Sequence, residues 1–327
     1  MDFLAVGDTT IDNFIRLKDA RVTCRINDED CEISMRWGDK IPFELSVEVP
    51  AVGNAANAAV AAARLGLKTA FRAYVGDDEY GAKCRAALEK RGVDTTLLVT
   101  QPGKHTNYHF VLWFESERTI LIKHEAFDYE FADLPSPPKW LYLSSLAANS
   151  LAYEQHCEEW LEKHPETKFA FQPGTFQINA GLVAQKKLYE RADLFFCNKE
   201  EARRILGSTE DDPKKLMEAL RALGPKIVVL TNGRAGAYAD DGSRQWFVPM
   251  YPDLRPPYER TGAGDAFAST IAAALALGEP LEKALLWGPV NAMEVVQKIG
   301  AQEGLLTREE VEGFLAKAPP EYKLAPL

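Results

Sequence analysis

Short apolar runs alternate with helical stretches along most of this chain, and that order limits the available folds more than any other feature. Residues 4–6, 69–75, 140–144, 168–171, 194–197 and 226–230 read as buried strands. Residues 53–65, 79–91, 151–164 and 268–277 read as helices between or after them. Repeated strand–helix units predict an α/β protein with a doubly wound, mostly parallel sheet and helices on both faces. Ligands in such folds gather beyond the carboxyl ends of the strands. The polar clusters of this sequence nearly all follow a strand at that end.

Two segments break the pattern. Val22, Cys24 and Ile26 alternate with polar neighbours, as do Cys31, Ile33, Met35 and Trp37, then Phe43, Leu45, Val47 and Val49. Alternation with period two predicts a small antiparallel sheet with one covered face. Residues 108–114 and 119–122, around the turn-like Glu115-Ser116-Glu117, read as a hairpin joining it. The chain thus divides into a main α/β domain (1–12, 50–104 and 124–327) and an inserted β-sheet lid (13–49 and 105–123). Two-faced strands with open edges also suit a homodimer formed through the lid. Residues 318–327, rich in proline, read as a loose tail.

At 327 residues, with 46% hydrophobic and 26% charged residues, the chain can bury a full core. The net charge of -10 argues against nucleic acid or an acidic membrane surface as partner. No apolar run is long enough to cross a bilayer. The five cysteines form no Cys-x-x-Cys pair, which suits reduced thiols in a cytoplasmic protein. His105 and His109 stand four apart in strand-like sequence with no cysteine nearby, and read as ordinary lid or surface residues rather than zinc ligands.

The most informative chemical segment is Thr261-Gly262-Ala263-Gly264-Asp265, which opens an Ala-rich helix. Small residues at a helix N-terminus leave amides free for an anion such as phosphate. A carboxylate there would repel a passive anion, but it makes sense as a general base acting on a hydroxyl while the amides hold the phosphoryl group. A plain capped helix start would look the same. Four further clusters accompany it, and each has a purely structural reading as well. Asp8 and Asp12, on an expected loop, can grip hydroxyls or merely face water. Gly53, Asn54 and Asn57 open a helix with both amides on one face of its first turn. Asn198 and Glu201 have capping-box spacing, or Glu201 organises magnesium through water. Thr231, Gly233 and Gly236 allow close backbone approach to a nucleotide, or form a hairpin turn. A Gly-Asp-Asp-x-x-Gly loop at residues 76–81 reads as capping.

In their order along the chain these motifs resemble the PfkB (ribokinase-like) family of carbohydrate and nucleoside kinases, over roughly residues 3–315. The resemblance implies an ATP-dependent phosphotransferase acting on a small-molecule sugar or nucleoside. It implies Asp265 as base and Gly262, Ala263 and Gly264 as anion hole. It places Asp12, Gly53, Asn54 and Asn57 on the substrate, and Asn198, Glu201, Thr231, Gly233, Gly236 and Asn291 around ATP. Mg2+ would be held through water by Glu201, with a monovalent cation as a further candidate cofactor. Departures accompany it. Glu259 and Arg260 replace the usual Asp and Ser or Thr, Val52 and Asn54 replace the Gly and Lys of ribokinases proper, and residues 141–145 offer no sugar-binding acid. These changes argue against ribose itself. His124 and the loop from Gln172 to Phe176 are candidate contacts for an atypical substrate. Trp37, Phe43, Trp113 and Phe114 are candidate stacking partners if the acceptor is a nucleoside.

Overall fold

The computed structural model describes residues 1–26, 29–115 and 117–327. Ser116, at the expected hairpin tip, and the side chain of Ile26 lie outside the described set. The main sheet has ten strands. Across it run Ala325–Pro326, Gln245–Val248, Ala237–Asp240, Ile227–Thr231, Leu194–Asn198, Lys168–Phe171, Trp140–Leu143, Phe3–Val6, Thr69–Gly76 and Leu98–Gln101. The strands from Ile227–Thr231 to Leu98–Gln101 are all parallel, and the other three close one edge antiparallel. The central strands are buried on both faces, which is why they read as unbroken apolar runs.

The helices Asn54–Arg64, Ala263–Ala276 and Leu281–Val295 cover one face of the sheet. Alanine dominates the first two because their backbones pack closely. Seven residues from Ala55 to Ala62 other than Asn57 are apolar and buried, and a Cβ on Gly288 would lie 2.9 Å from the Phe267 ring. The opposite face carries larger side chains, among them Tyr153, Trp160, Leu188 and Met217. Among the described residues no helix is long and apolar enough to cross a membrane.

A second, four-stranded sheet runs in the order Phe43–Val52, Thr10–Leu17, Tyr108–Phe114, Glu117–Leu121. Its outer pairs are antiparallel and its central pair parallel. The segment 7–12, expected as a loop, therefore turns into strand at Thr10, and Asp12 lies within that strand. Arg21–Ile26 and Glu29–Ser34 form a separate hairpin. The alternation there does not give a covered face within one chain, since Val22, Met35, Trp37 and Phe43 are 44–99% exposed.

Two other expectations are corrected. Cys24 and Cys31 face each other in that hairpin and form a disulfide, so only Cys84, Cys157 and Cys197 are free thiols. The tail is not loose. Ala325–Pro326 pairs with Gln245–Val248, and Tyr322 is buried with its hydroxyl donating to the Leu286 carbonyl at 2.6 Å.

Candidate active site

Gly262 caps the helix Ala263–Ala276 in a left-handed conformation, φ 82°, pressed so close to Ala301 that a Cβ would lie 2.2 Å from the Ala301 Cβ. This turn leaves the first amides of a fourteen-residue helix without acceptors inside it. Gly264, one residue into that turn, is exposed, and a Cβ there would meet nothing within 4 Å. Upstream, the buried Glu259 carboxylate accepts from the Thr261 amide at 2.7 Å and its hydroxyl at 2.5 Å, fixing the entry to the loop. Burial pushes the Glu259 carboxyl above its ordinary pKa.

Asp265 stands in the same turn and accepts three side-chain amides. Asn54 Nδ2 reaches Oδ1 at 2.8 Å, Asn57 Nδ2 reaches Oδ2 at 2.8 Å, and Gln172 Nε2 reaches Oδ1 at 3.4 Å. The three-residue spacing of Asn54 and Asn57 does put both on one side of the helix Asn54–Arg64. Both face the carboxylate as well as the cleft. Gly53 precedes them at φ 111°, where a Cβ would lie 3.0 Å from the Asp8 carbonyl oxygen. Burial raises the Asp265 pKa, opposed by the bonds from Asn57 and Asn54.

The cleft around Asp265 has a volume of about 380 Å³ and is walled by both sheets. At one end Asp12 lies 3.2 Å from His109 Nδ1 and Asp8 lies 3.5 Å from His124 Nδ1, with the two imidazole rings 5.2 Å apart. Tyr129 donates to the other Asp8 oxygen at 2.7 Å. His109 lies in the small-sheet strand Tyr108–Phe114, where the sequence reading put it, and there forms part of the cleft wall; His105 is exposed. At the other end Asn198 and Glu201 form a reciprocal capping box, each bond 2.8 Å, and both line the cleft. Burial raises the Glu201 pKa, and the Asp265 charge adds to that.

A second cavity of about 260 Å³ adjoins the first and shares Thr231, Arg260, Ala263 and Gly264 with it. Gly233 and Gly236 line it, beside the apolar Met250, Tyr251, Phe267, Pro289, Met293 and Val296. Asn291 is not there. It is fully buried, donates to Thr270 Oγ1 at 2.7 Å and accepts from the Leu306 amide at 2.9 Å, so it holds helices together while its neighbours Pro289 and Ala292 face the cavity. Arg260 lines both cavities and pairs with Glu117 of the small sheet at 2.5 Å. Of the aromatic candidates for base stacking, none lines the cleft: Trp113 is core and Trp37 is fully outside.

Sequence reasoning missed Arg118, which reaches the cleft from the strand Glu117–Leu121, and the contact of Gln172 with Asp265. The signal for Gln172 was its place directly after the strand Lys168–Phe171. A larger, open groove of about 720 Å³ along the antiparallel sheet edge, by Lys214, Arg244 and Trp246, contains none of the motif residues.

The profile of the pfkB family of carbohydrate kinases matches residues 43–308. The chain is 29% identical over 273 residues to a ribokinase of Bacillus subtilis, covering 81% of this chain and 87% of that protein. It is 28% identical over 326 residues to a nucleoside kinase of Methanothermobacter thermautotrophicus, covering 97% and 96%. The fold superposes on an Arabidopsis thaliana ribokinase solved with ribose and ATP, with a TM-score of 0.78 at 20% identity over 96% of this chain and 98% of that one.

Proposed function

The chain belongs to the pfkB family of carbohydrate kinases, and from that premise we propose that it moves the γ-phosphate of ATP to a hydroxyl of a sugar or sugar derivative, with Asp265 as the general base. The observation that carries this reading is the place of Asp265. It is gripped by two asparagine amides at 2.8 Å, in the first turn of a helix, next to the boundary between a polar cleft and a more apolar cavity.

The acceptor lies in the cleft, with hydroxyls on Asp12 and its neighbours at the imidazole end. The adenine side of ATP takes the apolar cavity by Gly233, Gly236 and Met293. That brings the terminal phosphate to Gly262, Ala263 and Gly264, whose amides take up the charge that develops as the bond to the leaving group lengthens. Asp265 removes the proton of the attacking hydroxyl. Asn54 and Asn57 keep its carboxylate turned toward the cleft, which makes them holders of the base as well as contacts for substrate. The small sheet covers the cleft and excludes water, the competing acceptor.

The site residues fit Mg2+ held through water. Glu201 is a partly buried carboxylate whose pKa is raised by burial and by Asp265, so a cation held through water on its cleft side would relieve part of that cost. Among the described residues no cluster of three His, Cys, Asp or Glu side chains could hold a metal alone, so water and phosphate oxygens would complete its shell. Held through water by Glu201, such an ion would supply positive charge to offset that of the phosphates.

A nucleoside acceptor is the second reading, favoured by the 28% identity to a nucleoside kinase over 97% of the chain. The absence of Trp37, Phe43, Trp113 and Phe114 from the cleft wall favours the sugar. ATP turnover over ribose, fructose, adenosine and cytidine separates the two. Asp265→Asn is expected to lower kcat roughly 10²–10⁴-fold with the best acceptor. Undiminished turnover in that variant would remove Asp265 from the chemistry.

A further inference from the structure

Gln302 lies outside every motif described above, in the irregular segment after the helix Leu281–Val295. It is 4% exposed, and its Nε2 donates twice, to the Ala51 carbonyl at 2.7 Å and to Asn57 Oδ1 at 2.9 Å. Asn57 in turn donates from Nδ2 to Asp265 Oδ2 at 2.8 Å. We infer that Gln302 is a positioning residue for the proposed base: it locks the Asn57 amide in the one orientation that presents a donor to Asp265.

The direction of this chain is fixed by chemistry. A backbone carbonyl only accepts, so the atom of Gln302 facing Ala51 has to be its amine. That same amine faces Asn57, which has to answer with its oxygen and is left with its amine toward Asp265. The far anchor, Ala51, is fully buried within the strand Phe43–Val52. Gln302 also follows directly on Ala301, which packs under Gly262. One short segment therefore supports both the phosphate turn and the base.

The lock matters most when Asp265 takes up a proton. A protonated carboxyl needs an acceptor for its O–H, and a freely turning Asn57 would supply one by rotating its amide through a half-turn. Gln302 forbids that rotation, since the turned amide would set two donors against each other. The protonated form is thus left with a donor facing it, and the ionised form is favoured. The remaining amides on Asp265 come from Asn54 and Gln172. The other groups in electrostatic reach are Arg118 from the small sheet, Glu201 and Tyr142, with Asp8, Asp12, His109, His124 and Arg260 in the same cleft. None of these bonds to Gln302.

The inference rests on the role proposed for Asp265, but its test does not need an acceptor. In protein labelled with ¹³C at aspartate Cγ, the Asp265 resonance is assigned by its loss in Asp265→Asn and followed against pH. Gln302→Met keeps the length and removes both donors. The titration midpoint is expected to rise by roughly one pH unit. With Asn57→Ser no amide remains to turn, and adding Gln302→Met is expected to change the midpoint no further. Gln302→Leu replaces the methionine variant if that one fails to fold, and carries the same expectation. An unmoved midpoint, or an equal rise in both backgrounds, overturns the inference. The role of Asp265 as base fails separately, if wild-type protein and Asp265→Asn turn over ATP alike with every acceptor.

Discussion

Gly262 and Gly264 lie two residues apart and answer to different demands. At Gly262 the backbone is left-handed and Ala301 fills the space a side chain would need. Gly262→Ala is therefore expected to cost about 1–3 kcal/mol of stability, read by chemical denaturation. At Gly264 no protein atom objects to a methyl group, and alanine is the better helix former by about 0.5–1 kcal/mol. Gly264→Ala should raise the unfolding midpoint yet lower kcat about tenfold or more, because the methyl would enter the space proposed for phosphate. A variant both stable and fully active would remove phosphate from that spot. The proposed base makes its own demand. Burial lifts the Asp265 pKa, and only the ionised form accepts a proton, so activity is lost as pH falls through the raised value. The acid limb of kcat should lie above the ordinary carboxylate range near pH ~4 and move or vanish in Asp265→Asn. A limb below that range would contradict the direction of the shift. From the sequence, Asp265 and its glycines were legible only in company, because the order of the clusters along the chain, and not this segment alone, carries the resemblance. The Asp–His pairs were not, because His109 and Asp12 are 97 positions apart and meet only through a parallel strand pairing.

At the scale of elements, period-two alternation found Arg21–Ile26, Glu29–Ser34, Phe43–Val52 and Tyr108–Phe114, ran past the second of these to Met35 and Trp37, and missed Thr10–Leu17, so it could not name their neighbours. The strand Thr10–Leu17 lies between Phe43–Val52 and Tyr108–Phe114, a pairing set by long connections rather than by a local turn. Alternation also promised a covered face, and within one chain Val22, Met35, Trp37 and Phe43 remain open. A second copy covering them through the lid is the reading that reconciles the two. Sedimentation velocity should then report a dimer, and Trp37→Asp with Phe43→Asp a monomer that keeps the wild-type far-ultraviolet circular dichroism spectrum. A monomeric wild-type protein would end that idea.

Across the whole molecule, the alternating strands and helices predicted the doubly wound architecture, while proline misled at the carboxyl-terminal end. Residues such as Pro319, Pro320 and Pro326 suggested a free tail, yet an edge strand tolerates proline because its outward amide needs no partner. Tyr322 closes that edge against Tyr251, ring centroids 4.9 Å apart, with its hydroxyl on the Leu286 carbonyl. Tyr322→Ala is expected to cost about 3 kcal/mol, a drop of several degrees in Tm by circular dichroism. An unchanged melt would mean the tail contributes nothing.

The small sheet is tied to the glycine turn on two sides. Arg260 reaches Glu117, and Tyr258 sets its ring edge-on to Trp113, centroids 5.0 Å apart, beneath the Arg16 guanidinium. A cover fastened to the cradle it shelters cannot lift and leave that cradle as it was. If the proposed phosphate site is right, letting go of product and dismantling the place where phosphate rests would be a single movement, and such an enzyme would carry little risk of standing open and armed before water.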